Sequence, residues 1–283
     1  MKPILKWAGG KARLASQISD AFGEPCRGTY YEPFIGGASV FLYRRARGEV
    51  DRAVLSDVNA KLIAMYLAIR DDVDSVLSNL MRLPRKDWHE RYYDVRAAFN
   101  EGPHEGPLHA ARLVWLNRTG FNGLYRENRS GGYNVPVGRY SKVSLPTPAH
   151  FREVSALLAG SDLRVASFED VVCEAGPDDQ VYCDPPYVPL SATASFTAYC
   201  KEPFGFHTQV ELADCARQAA RGGAVVVLSN HDLPLVREQI YPHARGFRVI
   251  ASPQVTRAIS QKSSSRGRVA EVIARIDRAA LVG

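Results

Sequence analysis

The first apolar runs in the chain are short, and each stops at glycine or at an acid. Tyr30-Tyr31-Glu32-Pro33-Phe34 leads into Ile35-Gly36-Gly37-Ala38-Ser39, and an apolar pattern at helical spacing starts from Val40. Ala53-Val54-Leu55 follows and ends at Ser56-Asp57. Strand, glycine turn, helix, then a strand closed by an acid is the order of a parallel nucleotide-binding sheet. This zone covers about residues 1–66.

The period then changes. Leu62, Met65, Tyr66 and Ile69, followed by Val73, Val76, Leu77 and Leu80, recur at intervals that predict helix. Asp87 is placed to cap a further helix through Tyr92, Val95 and Phe99, and His109 to Asn117 predicts another. After Arg118 comes FNGLYRENRSGGYNVPVGRY, where Gly131-Gly132 suggests a hairpin turn. Residues 67–157 therefore read as a mostly helical insert ending in a basic hairpin at 118–142.

Alternating strands and helices return from residue 158. Val181-Tyr182-Cys183 and Val225-Val226-Val227-Leu228 predict buried strands, the second ending at Ser229-Asn230. Thr208-x-x-Glu211 fits a capping box ahead of Leu212, Cys215, Ala216 and Ala219 on one helical face, and Gly222-Gly223 stops that helix. Phe247–Ile250 and Val269–Ile276 read as final strands around a basic loop.

Composition adds little until charge is placed. The 283 residues are 46% apolar and 23% charged, an ordinary globular balance, with a net charge of +6. Residues 118–142 carry Arg118, Arg126, Arg129, Arg139 and Lys142 against Glu127 alone, and residues 257–268 carry Arg257, Lys262, Arg266 and Arg268 with no acid. Each stretch is thus +4 and the remainder −2. Such concentration is the footprint of a polyanionic partner, although two solvated loops fit the charge equally well.

Five scattered cysteines without a C-x-x-C argue against a zinc knuckle or a disulfide framework. The N-terminus shows no signal-peptide pattern, and the longest apolar run, Ala224–Leu228, is too short to span a bilayer. A soluble protein of the reducing cytoplasm is expected.

Candidate chemistry begins at QVYCDPPYVPL, residues 180–190. Ligands of open parallel sheets sit beyond the carboxyl ends of the strands, which is where Asp184 falls. Each proline holds the residue before it extended and offers a carbonyl without an N–H. The result is a rigid shelf with a carboxylate, a carbonyl and the Tyr187 ring, suited to a planar ligand bearing an NH₂ group. The competing reading is a Pro-Pro turn with a surface acid. A buried strand before it and an aromatic after it favour the shelf.

Lys6-Trp7-Ala8-Gly9-Gly10-Lys11 fails the phosphate-loop pattern, because position 5 is Leu and position 12 is Ala. An NTPase is therefore excluded. An aromatic, two glycines and a lysine fit a clamp for a small charged cofactor, or a helix-start turn. Gly36-Gly37 lets backbone approach a ligand closely, and Asp57 lies 25 residues beyond Glu32, near the spacing of a ribose-binding acid. G-x-G-x-x-G is absent, which favours a nucleoside cofactor over a dinucleotide. The alternative for Asp57 is a cap for the helix at Lys61–Ile69.

Three other patterns are set aside. His104 and His109 are five apart with Pro107 between, which breaks a zinc-protease helix. The deaminase signature is missing. His231-Asp232 reads as a structural cap, since there is no nucleophile elbow.

KWAGGK, EPFIGGASVF, SDVN, NRTGFNG, the YNVPVGRY hairpin, CDPPYVPLSATASFTAY and LSNHD together resemble the DNA adenine methylase (Dam-type) family of N6-adenine methyltransferases. The blocks run in that family's order from Lys6 to about Arg268. The resemblance implies an α/β fold: a Rossmann-like mixed seven-stranded sheet of the class I methyltransferase type, built from 1–66 and 158–283. Residues 67–157 would be the target-recognition domain.

The resemblance also implies S-adenosylmethionine as cofactor, with no metal. Trp7, Lys11, Phe34, Gly36, Asp57, Phe168 and Asp184 match its binding positions. Asp184, Pro185 and Tyr187 match the catalytic shelf. The partner implied is double-stranded DNA bearing GATC, bound by a cytoplasmic, nucleoid-associated monomer. Asn122, Leu124, Arg126, Pro136 and Tyr140 match base-reading positions and Lys6 a contact near the first base. Phe121 stands where an intruding tyrosine is common, and Arg118 and Arg139 match phosphate contacts. The departure is Glu127-Asn128-Arg129-Ser130, where the glutamate leaves the last base preference open. Rival readings are a cytosine-N4 or RNA-adenine methyltransferase, and a DNA-binding regulator with a retired active site. A protein-glutamine methyltransferase would carry Asn in place of Asp184.

Overall fold

A computed structural model describes residues 1–189, 204–256 and 268–281. Eight strands form one sheet: β1 (Thr29–Glu32), β2 (Arg52–Asp57), β3 (Asp162–Val165), β4 (Gln180–Cys183), β5 (Val225–His231), β6 (Arg248–Ala251), β7 (Gln254–Thr256) and β8 (Arg268–Ile276). Seven run in the order β3-β2-β1-β4-β5-β8-β6, and β7 pairs with the start of β8. The first five along this path are mutually parallel, and β8 enters antiparallel between β5 and β6. This is the Rossmann-like mixed sheet expected, with β7 as an addition.

Helices cover both faces, which is why the central strands read as unbroken apolar runs. Tyr30, Leu55, Tyr182, Val227 and Ile273 point to one core, and Tyr31, Val54, Val181, Cys183, Val226 and Val272 to the other. Successive side chains alternate between faces, so two hydrophobic cores share one set of strands. The first core is roofed by α1 (Ala15–Phe22), α2 (Ser39–Ala46) and α3 (Ala60–Asp71), the second by α8 (Phe168–Val172) and α9 (Phe206–Gly222).

α4 (Val73–Arg82), α5 (Trp88–Glu101) and α6 (Gly106–Thr119) continue the first core away from the sheet. α6 lies at their centre, packed against α3, α4 and α5, and is buried almost all round. Its apolar pattern accordingly lacks a polar face. α3 runs without a break through residue 66, where the sequence reading placed a boundary. α7 (Pro148–Leu158) returns the chain to β3.

Several local expectations are corrected. The helix around Thr208 begins earlier, at Phe206 behind an uncapped Gly205, so the capping box does not form and Glu211 pairs with His207 instead. Asp87 occupies an N-cap position at φ 50°, but its side chain caps nothing. Asn59, not Asp57, caps α3, by accepting from Leu62 N–H. The basic hairpin is antiparallel but not a regular ladder. Two isolated bridges, Gly120 to Val137 and Glu127 to Tyr133, and a few backbone bonds such as Asn134 N–H to the Arg126 carbonyl hold it. Its turn is built by Asn128, whose Oδ1 accepts from the N–H groups of Ser130 and Gly132. The basic residues Arg257, Lys262 and Arg266, and the segment 190–203, lie outside the described residues. Among the described residues no helix is long and apolar enough to cross a membrane.

Candidate active site and DNA-facing hairpin

Asp184 leaves the end of β4 beside Lys11, which comes from the loop before α1. Lys11 Nζ is 3.0 Å from Asp184 Oδ1, with side-chain exposures of 4% and 20%. Oδ1 itself is buried with no hydrogen bond of good geometry, and the Lys11 ion pair and the Tyr187 hydroxyl favour the charged carboxylate. Burial pushes the Asp184 carboxyl up from its ordinary range, and Lys11 opposes that shift. The Lys11 ammonium also bonds the Gly9 carbonyl and sits 4.7 Å from the centre of the Tyr187 ring. The Tyr187 hydroxyl donates to Glu271 Oε2 at 3.0 Å, and Glu271 lies 3.9 Å from Lys11.

The shelf is rigid for reasons beyond its prolines. Gln209 of α9 donates through Nε2 to the Pro186 carbonyl at 2.6 Å. Its Oε1 accepts from Asn230 Nδ2 at 3.0 Å, and Asn230 Oδ1 accepts from Val188 N–H at 3.2 Å. His231 Nδ1 lies 2.6 Å from the Val188 carbonyl, and its ring meets Tyr187 edge-on at 4.8 Å. α9 and β5 thus fix the segment from both sides. His231 is structural, as expected, but it braces the shelf rather than capping a strand.

A second wall follows the ends of β1, β2 and β3. Trp7 lies against Gly36, where a Cβ would meet the indole at 2.8 Å, and Gly36 has φ +43°. Only glycine allows both the approach and the backbone angle. Gly36 N–H donates to Asp57 Oδ2 at 3.2 Å, and Asn59 N–H to Asp57 Oδ1 at 3.0 Å. Burial raises the Asp57 carboxyl despite these bonds. Phe34 stacks on Phe168 at 5.8 Å, and Phe204 closes a triangle with both. At the end of β1, Glu32 is 2% exposed and accepts from the Tyr30 hydroxyl at 2.6 Å. Burial pushes its carboxyl up to about 8.

Trp7, Lys11, Phe34, Gly36, Asp57, Phe168, Asp184, Pro185 and Tyr187 are therefore gathered beyond the carboxyl ends of the parallel strands. Their chemistry fits a nucleoside bearing a positive charge. There are aromatic faces, carboxylates at the ends of β2 and β4, and a glycine that lets backbone come close.

The hairpin is docked on the same edge of the molecule through Lys6. Asn117, buried at the end of α6, accepts from Lys6 N–H and donates to the carbonyls of Lys6 and Gly123. Lys6 Nζ stands 4.3 Å from the Tyr140 ring centre. Phe121 N–H donates to the Pro136 carbonyl at 2.8 Å, and Asn122 is left-handed at φ 54°. Leu124 is half-buried against the core, while Pro136 and Arg139 are exposed. Arg126 is exposed but held, with Nε on Asn134 Oδ1 at 2.7 Å.

Two residues are placed unlike the rest. Arg118 turns its guanidinium inward onto the carbonyls of Pro3 and Ile4, where burial lowers its pKa. Glu127 turns back onto Lys61 at 2.8 Å and onto the Tyr125 hydroxyl.

Gln209, Asn230, Glu271, Phe204 and Asn117 went unnoticed as site residues. Glu271 carried a signal, a lone acid inside the apolar run of β8. Gln209 carried none, since one glutamine on a helix has no pattern of its own.

A Rossmann-like sheet whose strand ends carry this shelf, beside a basic hairpin, defines a nucleic-acid methyltransferase. The sequence profile of the D12 class N6 adenine-specific DNA methyltransferases matches residues 7–253. The chain is 37% identical to the DNA adenine methylase of Escherichia coli (strain K12) over 278 residues, covering 96% of this chain and 94% of that one. It is 35% identical over 278 residues to Type II methyltransferase M1.LlaDCHI of Lactococcus lactis subsp. cremoris, with the same coverage. It is 35% identical over 243 residues to Type II methyltransferase M.MjaIII of Methanocaldococcus jannaschii, covering 81% of this chain and 84% of that one. The chain belongs to the D12 class of N6 adenine-specific DNA methyltransferases. A crystal structure of a 16S rRNA (adenine(1408)-N(1))-methyltransferase from Catenulisporales acidiphilia covers 93% of this chain and 92% of its own, at 12% identity and a TM-score of 0.29, too slight a likeness to argue from.

Proposed function

We propose that this enzyme transfers a methyl group from S-adenosylmethionine to N6 of adenine in GATC sites of double-stranded DNA. The observation that carries the reading is the braced Asp184–Tyr187 shelf with its carboxylate paired to Lys11. The cofactor fits the wall opposite: Trp7, Phe34 and Phe168 offer apolar faces, Asp57 a ribose acceptor, and the Gly36 loop room for close approach. When bound, S-adenosylmethionine supplies an electrophilic methyl group on a sulfonium.

The chain's own residues make adenine reactive. The N6 lone pair is delocalised into the ring, so the amino group is a poor nucleophile. Asp184 and the Pro185 carbonyl each accept one of its hydrogens, drawing the nitrogen toward pyramidal geometry. The Pro186 carbonyl is already taken by Gln209, which leaves Pro185 as the backbone acceptor. Tyr187 holds the base by its ring, with its hydroxyl anchored on Glu271. Catalysis then rests on orientation and fixed charge, with no covalent enzyme intermediate.

The target nitrogen is inaccessible inside a duplex, so the base is flipped, at a cost of about a few kcal/mol. The hairpin supplies binding energy through phosphate contacts. Arg126, pre-set by Asn134, reads guanine in the major groove together with Asn122, Leu124, Pro136 and Tyr140. Lys6 lies at the first base, Phe121 intrudes into the duplex, and residues 67–157 act as the recognition unit of a monomeric enzyme. The D12 class N6 adenine-specific family supports N6 as the target, and the E. coli relative, named DNA adenine methylase, supports adenine in DNA.

The deciding experiment incubates the enzyme with methyl-labelled cofactor and plasmid, then maps the modified nucleotides. Label on N6 of adenine within GATC is expected. Label on cytosine, label only on RNA, adenine label outside GATC, or no transfer despite DNA binding would each overturn a stated part of the reading.

A further inference from the structure

One tyrosine touches both the hairpin and the wall that carries Trp7. Tyr125 stacks on Trp7 with ring centres 5.5 Å apart and planes at 29°. On its other side it meets Tyr133 edge-on at 5.7 Å. Its hydroxyl bonds Glu127 and lies 3.4 Å from Asn59 Oδ1. Asn59 in turn donates its N–H to Asp57. Glu127 pairs with Lys61, which also donates to the Gly131 carbonyl in the hairpin turn. Behind Trp7 stands Gly36, whose N–H binds Asp57.

The hairpin is seated on two sides: Asn100 bonds the Tyr133 backbone twice and Tyr92 bonds the Val135 carbonyl on the α5 side, while these contacts hold the Trp7 side. Two isolated bridges replace a ladder, so its seating depends on side chains. Tyr125 and Glu127 supply the seating on the Trp7 side, where Tyr125 is half-buried and Glu127 turns back onto Lys61. A hairpin fixed on a duplex therefore fixes Tyr125, and through it the Trp7 face and the Asp57 carboxylate.

We propose that Tyr125 and Glu127 are positioning residues that couple the hairpin to the cofactor wall, so that bound DNA tightens the cofactor and bound cofactor tightens DNA. The inference rests on the proposed function. The ordering cost of the Trp7–Tyr125 stack is met by whichever ligand binds first and is spared the second. Linkage makes the effect equal in both directions. It also gives Glu127 a role separate from base preference.

The test is calorimetric titration of S-adenosylhomocysteine into the full chain, alone and preloaded with a short duplex carrying one GATC. The wild type is expected to bind it about 10-fold tighter with the duplex present, inside the usual range of such couplings. In Tyr125→Leu and in Glu127→Gln the ratio is expected to fall below about 3-fold. Thermal melting checks that both variants fold. If Tyr125→Leu does not, Tyr125→Phe, which keeps the ring and loses the Glu127 bond, takes its place. A ratio of one in the wild type, or a wild-type ratio retained in both variants, would overturn the coupling and leave the proposed function standing. A wild-type chain that binds neither duplex nor S-adenosylhomocysteine would instead remove the reading on which the coupling rests.

Discussion

Lys11 Nζ sits 3.0 Å from Asp184 Oδ1, although residue 11 precedes α1 and residue 184 follows β4. The pair opposes the cost of burying a carboxylate that receives no other good bond at that oxygen. Asp184 accepts from an amino group more strongly when ionised. In Lys11→Met the carboxyl loses its counter-charge and its pKa rises further. The acid limb of the kcat–pH profile, taken at saturating cofactor, is expected to move to higher pH. A limb that stays put or moves down would show that Lys11 does not set the charge of Asp184. Asp184→Ala is expected to lower methyl transfer by about 100-fold or more while duplex binding persists in a mobility shift.

Gln209 joins the Pro186 carbonyl to Asn230, and both Gln209 and Asn230 are at most 1% exposed. Gln209→Ala leaves the buried Asn230 amide without this acceptor and frees the Pro186 carbonyl, which costs about 1–3 kcal/mol. The urea midpoint should fall accordingly. A loosened shelf should also lower kcat with little change in KM for the cofactor, because the side-chain hydrogen bonds of Gln209 go to the Pro186 carbonyl and Asn230. An unchanged kcat would mean that the prolines and the Asn230 and His231 contacts at Val188 hold the shelf without Gln209.

How much of this was legible depended on whether a residue's partner lay close in sequence. β1, β2, β4, β5 and β8 showed as short apolar runs because burial leaves a continuous hydrophobic signature, whereas β6 showed through Val249 and Ile250 although both are exposed. β3 was missed: Asp162-Leu163-Arg164-Val165 is an edge strand with one buried residue, so its pattern is weak. Asp184, Pro185 and Tyr187 stood out because the chemistry is written in four consecutive residues. Gln209, Asn230 and Glu271 act on that shelf from distant strands and helices, and no local pattern announces a long-range hydrogen bond. Charge counting placed Arg118 in the basic stretch and the family resemblance matched it to a phosphate contact; neither says which way a side chain turns.

The two arginines once grouped together are expected to behave differently. Arg118 is bound to the carbonyls of Pro3 and Ile4, whereas Arg139 is exposed. Arg118→Ala should cost about 1–3 kcal/mol in denaturant unfolding by leaving those carbonyls unpaired. It should barely alter the salt dependence of duplex binding. Arg139→Ala should leave stability within about 0.5 kcal/mol and lower the slope of log K against log salt by about 1. Equal salt slopes for the two variants would contradict this division.

Glu32 makes stability itself pH-dependent. Its carboxyl is buried at the end of β1 and pushed up to about 8, with the nearby Asp184 charge adding to the effect of burial. The unfolded chain releases that proton near the ordinary carboxylate value of 4.5, whereas the folded chain keeps it. The unfolded state therefore binds fewer protons across this interval, and stability falls as pH rises through it. The contribution is fully present below about 4.5 and gone above about 8. Glu32→Gln is neutral at every pH, has nearly the same shape and still accepts from the Tyr30 hydroxyl. Urea midpoints of the two proteins should lie close together near pH 5, with the variant increasingly the more stable toward pH 8. Asp57 is raised in both proteins alike and drops out of the comparison; Asp184, coupled to Glu32 by charge, is relieved in the variant, which acts in the same direction. A difference that stays flat with pH would mean that Glu32 is ionised in the folded enzyme, with a counter-charge other than those seen around it.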